Sequence, residues 1–110
     1  MPNITTRTVT ISDGTDTSDA VLIEDGELVG IETDSAWDTQ DITFTTSTTS
    51  GGTFVGVYDA TNTAVTVTSA TASRYYTLAS AGIKGLQWIK LVSAANQSGD
   101  TALILTILQR

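Results

Sequence analysis

Apolar and polar positions alternate in short runs along this chain, and no helical period is sustained beyond one turn. The runs recur roughly every eight to twelve residues and are broken by Gly, Asp, Asn and Ser, the rhythm of an antiparallel sandwich or barrel. Nine strands are predicted. The first runs from Thr5 to Ser12, with Val9 and Ile11 on one face and Thr6, Thr8 and Thr10 on the other. Ala20 to Glu24 and Leu28 to Thr33 flank Asp25-Gly26, a dipeptide suited to a tight primed turn, so a hairpin is expected there. Ile42 to Ser47 follows, with Ile42 and Phe44 inward. Ser50-Gly51-Gly52 turns the chain into Thr53 to Tyr58, where Phe54, Gly56 and Tyr58 share one face and Val55 and Val57 the other. Ala64 to Thr68, the weakest run, precedes Arg74 to Ala79, Trp88 to Ser93 and Ala102 to Gln109. One helical turn has room to form between Ala79 and Trp88.

Two runs, Ala20-Val21-Leu22-Ile23 and Leu103 to Leu108, are apolar on both faces. An antiparallel strand normally shows one face to water, so a doubly apolar one needs a second cover. A long loop and a subunit interface are both open as that cover, and burial of each Leu or Ile is worth about 1.5–3 kcal/mol. We favour the interface. Replacing Leu105 or Ile107 with Asp is expected to lose either the fold or assembly.

The length of 110 residues fits one β-sandwich domain over 1–110, with residues 1–4 as an N-terminal arm free to flex. About a fifth of the residues are Thr and the one proline is Pro2, a sheet composition rather than a linker's. Cys and His are both absent, which removes disulfides, thiolate zinc sites and the commonest general base. Met1-Pro2-Asn3-Ile4-Thr5 is not a basic segment followed by an apolar run, so no signal peptide is expected, and synthesis in a host cytoplasm follows. No stretch approaches the ~20 apolar residues of a membrane span.

A net charge of -7 argues against nucleic acid, whose binders need a cationic surface. The charge is also polarised. Ten acidic residues and no basic one lie between Asp13 and Asp41, whereas Arg74, Lys84, Lys90 and Arg110 face a lone Asp100 in the last third. A solvated acidic rim is the plainer account, and complementary ends that steer one copy onto another or onto a shell are the sharper one.

Asp13, Asp16 and Asp19 form the best metal candidate, three carboxylates in a glycine-containing loop of the kind Ca²⁺ accepts. The spacing is not that of an EF-hand, and Asp and Ser populate ordinary turns, so a plain loop is the stronger reading. No cofactor is expected. Hydroxyls are abundant but lack a histidine to activate them, so an enzyme is not expected either. Among the aromatics, Phe44, Phe54 and Trp88 read as core. Trp37, in Ser35-Ala36-Trp37-Asp38, reads as a plug at the end of the sandwich, with a sugar-stacking platform as the alternative. One ring of Tyr75-Tyr76 must point outward.

Arg7-Thr8-Val9-Thr10-Ile11-Ser12, Leu28-Val29-Gly30-Ile31-Glu32 and Ala36-Trp37 with Asp41-Ile42-Thr43-Phe44 come in order along the chain. Gly52 to Asp59, Arg74-Tyr75-Tyr76-Thr77-Leu78, Trp88 to Ser93 and Leu103 to Leu108 follow. This order of strands resembles small virion proteins of tailed bacteriophages and prophages, of the capsid decoration (cement) or head-fibre type. The resemblance implies an antiparallel jelly-roll-like sandwich of about eight to nine strands on the capsid exterior. It implies the major capsid protein or other virion proteins as partners, and a homo-oligomer with a trimer favoured. The candidate interface residues are then Leu103, Leu105 and Ile107, with Tyr76, Lys84 and Lys90. The same order also resembles galactose-binding-like sandwiches, which supplies an alternative: a carbohydrate-binding module stacking sugar on Trp37. A virion fibre or tail adaptor is the other alternative.

Overall fold

The computed structural model describes residues 3–23, 26–78 and 86–109. Nine strands lie among them: β1 (Asn3–Ile11), β2 (Val21–Leu22), β3 (Gly26–Thr33), β4 (Gln40–Ser47), β5 (Val55–Gly56), β6 (Val67–Ala70), β7 (Tyr75–Thr77), β8 (Trp88–Ser93) and β9 (Thr101–Gln109). Each expected run yields a strand, and all the pairings are antiparallel. One sheet has the order β1-β9-β3-β7, and the other β2-β8-β4-β5 with β6 also on β4. Successive strands from β1 to β4 thus alternate between the sheets, and the first and last strands pair along nine residues, Asn3 opposite Gln109 through Ile11 opposite Thr101. This is jelly-roll topology, in which the two sheets close over one core.

Two expectations change. β2 pairs with β8 and β3 with β7 and β9, so the segments flanking Asp25-Gly26 lie in opposite sheets and form no hairpin. The local turn chemistry is compatible with a crossing between sheets as well as with a return along one. Residues 3 and 4 belong to β1 rather than to a free arm, held opposite Gln109 and Leu108. The possible helical turn between Ala79 and Trp88 falls mostly outside the described residues.

The core is one cluster built from inward rows of both sheets. Val9, Ile11, Leu28, Ile31, Leu103, Leu105 and Ile107 come from the first sheet, and Ile42, Phe44, Ile89 and Leu91 from the second. β3 contributes through a bulge. Leu28 sits opposite Ile107 and Gly30 opposite Thr106, which leaves Val29 without a partner on β9. A strict period of two would send Ile31 outward if Leu28 faced in, and the extra residue restores the inward face for Ile31 and Thr33. Gly30 lies under the Tyr75 ring, where a Cβ would collide with the phenol.

Candidate functional site

The structure settles first what the interior takes away from the surface. Leu103, Leu105 and Ile107 are fully buried by the chain itself. Their assignment to an interface is therefore corrected: they are the inward row of β9, packed beneath the opposite sheet, and no second copy can reach them. The outward row is Ala102, Ile104, Thr106 and Leu108, and among these Ile104 is 37% exposed. Across the strands, Ile104 aligns with Thr8 of β1 and Glu32 of β3, and Leu108 with Ile4. Glu32 in turn faces Tyr75. The outer face of this sheet thus carries Ile4 at 62% exposure and Tyr75 at 49%, set among Thr6, Thr8 and Thr10. Tyr75 is the outward ring of the tyrosine pair. Tyr76, the sequence candidate, packs against the core, and its hydroxyl accepts from Thr71 N at 2.7 Å.

The outer face of the second sheet is a different surface. Ile89, Leu91 and Ser93 turn inward, so Trp88, Lys90 and Val92 turn outward. Trp88 and Phe54 are consequently half-buried surface side chains and not core, contrary to the reading from alternation. Lys90 sits with Nζ 4.4 Å from the centroid of the Phe54 ring, a cation–π contact that holds the ammonium on the sheet. Tyr58, 59% exposed, lies over Gly56. Beside it a cleft of about 230 Å³ is lined by Thr43, Thr45, Tyr58, Ala64 and Val92. A larger hollow of about 440 Å³ lies between Thr46, Ser47, Thr49, Thr53, Val55 and Leu86, and among the described residues no titratable side chain lines it. Lys84 lies outside the described residues.

At one end of the sandwich the loops 12–17, 34–39, 71–74 and 94–100 meet, and here the aspartates have structural work. Asp100 accepts from Asp13 N at 2.8 Å, Asp38 from Ser98 N at 2.8 Å, and Asp41 from Ser69 N at 2.7 Å. Asp34 accepts from Ala36 N and from Ala102 N, the latter at 2.7 Å. Asp16 is bonded by Thr17 Oγ1, and Asp19 accepts from Thr10 N. Asp13, Asp16 and Asp19 do not converge, and no group of three acidic residues among those described is placed to hold a metal ion. Of the three, Asp19 ties its loop to β1 and Asp16 accepts from the neighbouring Thr17, local bonds of the kind that make Asp common in turns. Hydrogen bonds from Ser98 hold the Asp38 carboxyl below its ordinary pKa, and those from Thr61 and Thr63 do the same for Asp59.

Two residues at this end govern its shape. Trp37 is 4% exposed, and its Nε1 donates to Ala70 O at 2.9 Å. Its ring is a plug and offers no platform for a sugar. Gln97, which the sequence reading passed over, is 1% exposed. Its Oε1 accepts from Asp38 N at 2.8 Å, and its Nε2 donates to Ser93 Oγ at 3.0 Å. Its backbone N–H donates to Thr15 O, and its carbonyl accepts from Gly14 N, each at 2.9 Å. Three loops are joined through this one residue. Among the described residues no buried side-chain nitrogen or oxygen is left without a partner.

No protein-family model matches the chain. No curated protein matches it either. Among solved structures, the crystal structure of the SPBc2 prophage-derived protein YomS is similar to it, with a TM-score of 0.57 and 11% sequence identity. The likeness covers 99% of this chain and 96% of that one, so the two folds correspond from end to end.

Proposed function

We propose that this chain is a non-enzymatic structural protein of a tailed-phage particle, a decoration or cement protein that binds the outer capsid lattice by protein–protein packing. The observation that carries this reading is the end-to-end likeness in fold to a prophage-derived protein. The strand order that resembles small virion proteins points the same way. The surface supports it further. The described loops and sheet faces offer hydroxyls, apolar side chains and aspartates already engaged as loop acceptors, which suits packing better than chemistry. Its partners on this reading are the major capsid protein or other virion proteins, its location is the particle exterior, and it self-associates. The sugar-binding alternative built on Trp37 loses its platform, because that ring is buried.

The test is the composition of purified particles. Mass spectrometry of virions from the phage that encodes the chain should find it at a fixed ratio to the major capsid protein. It should also be accessible to protease or antibody on intact particles. Particles that lack it, while infected cells contain it, would overturn the proposal.

A further inference from the structure

The edges of the two sheets are unequal. β2 and β5 have two residues each, β7 three and β6 four, whereas β1 has nine and is paired on one side by β9. A long open edge is a template for another strand unless something blocks it. In an antiparallel ladder, alternate residues turn their N–H and C=O toward the partner and the rest turn them away. Thr10 N donates to Asp19 Oδ1 at 3.0 Å, and Thr6 O accepts from Arg7 Nη1 at 3.1 Å. Both groups therefore point away from β9, and the period of two places Thr8 with them. Among the described residues no strand pairs with this outer edge of β1, and two of its groups are held by the chain's own charged side chains. Both of those side chains are exposed and on the surface.

We infer that the β1 edge pairs with the β1 edge of a second copy, antiparallel about a twofold axis at Thr8. In this register Thr8 faces Thr8 of the second copy, and Thr6 faces Thr10. The N–H that Asp19 holds is then the donor, and the carbonyl that Arg7 holds is the acceptor, of one and the same ladder bond between copies. As that bond forms, the Asp19 carboxylate and the Arg7 guanidinium are released at the same point from opposite copies and pair with each other. The axis repeats this on the other side of Thr8, so the edge is self-complementary in hydrogen bonds and in charge. The register centred on Arg7 would set Arg7 against itself, and like charges directly opposite are unfavourable. The two side chains that guard the edge in the single chain thus also select the register of the pair. The sheet β1-β9-β3-β7 becomes continuous across two copies.

The inference stands apart from the virion reading, because it is measured on the purified chain alone. Sedimentation velocity over a series from about 1 μM to about 1 mM should show monomer converting to dimer. Thr8→Pro removes the central donor. That N–H takes no part in the β1–β9 ladder, and an edge strand accepts proline where its N–H faces solvent. The variant should therefore keep its circular dichroism spectrum and weaken the dimer at least tenfold. Arg7→Asp and Asp19→Arg should each weaken it by a similar factor, and the double variant Arg7→Asp/Asp19→Arg should restore it. That charge exchange decides the matter even if Thr8→Pro fails to fold. A wild-type chain that stays monomeric throughout would overturn the inference. So would a dimer indifferent to Arg7→Asp, failure of the double variant to recover, or a closed trimer that all these variants leave intact.

Discussion

Replacing Gln97 with leucine removes a side chain of similar volume from the point where three loops meet, while its backbone bonds to Thr15 and Gly14 remain. Two good side-chain bonds are lost, from Asp38 N at 2.8 Å and to Ser93 Oγ at 3.0 Å, along with a weaker one to Asp38 O at 3.4 Å. A neutral hydrogen bond contributes about 1 kcal/mol net, and a part-buried N–H left without an acceptor costs about 1–3 kcal/mol more. The expected destabilisation is therefore about 3–5 kcal/mol, and at about 4 °C per kcal/mol for a domain of this size the midpoint should fall by about 12–20 °C. Urea and thermal unfolding with an unchanged m-value would assign the loss to the native state. Gln97→Glu sharpens the point. It keeps an acceptor for Asp38 N but, when ionised, cannot donate to Ser93 or Asp38. Burial would raise the pKa of that carboxyl, so this variant should regain stability as the pH falls toward the raised value. A Gln97→Leu stability within about 0.5 kcal/mol of wild type would refute the claim that this side chain fastens the loop end.

Neighbouring residues of β9 should behave oppositely. Leu105→Ala is expected to cost about 2–5 kcal/mol in denaturant unfolding, and Ile104→Thr, on the outer face, less than about 1 kcal/mol. Trp37→Phe keeps most of the plug but strands the Ala70 carbonyl, and calorimetry should register a loss of about 1–3 kcal/mol. The lowered carboxyls of Asp38 and Asp59 favour the folded state above the ordinary carboxylate range, and this contribution fades as the pH falls through their lowered values. Urea midpoints from neutral pH to about pH 3 should decline for wild type and decline less steeply for Asp38→Asn.

The strands were legible because alternation and turn residues are local signals. β8 matches its expected span, and β1, β3, β4 and β9 differ from theirs by two residues or fewer at either end. Alternation says which side chains share a face but not which face is inside. Trp88 illustrates this. Its row contains Lys90, while the other row is Ile89, Leu91 and Ser93, so the lysine was the signal that the tryptophan lies outward. In β9, Thr106 in the even row, set against the leucines and isoleucine of the odd row, was the corresponding signal. At Phe54 alternation gave no inside at all: Val55 of the opposite row is 59% exposed, and Phe54 lies half-buried under Lys90. The Val29 bulge left no local mark, because it exists to reconcile Leu28 and Ile31 with a partner strand far away in sequence. Partner choice was also illegible at Asp25-Gly26, where a turn signal carries no information about the sheet that the next strand joins. Gln97 was hidden by type: a glutamine in a polar loop looks solvated until the loops around it close. Four of the acidic run, Asp19, Asp34, Asp38 and Asp41, resolved into acceptors of backbone N–H groups, and those donors lie as far away as Ala102 from Asp34.

On the proposed function, this fold works by docking on a particle. The most direct test is add-back of the purified chain to particles assembled without it, with bound copies counted by quantitative mass spectrometry and located by cryo-electron microscopy. Saturable binding at one repeated lattice position is expected, in fixed ratio to the major capsid protein, with greater resistance of the particle to heat. Absence of binding at saturating concentration, to particles and to their capsid protein alike, would contradict it.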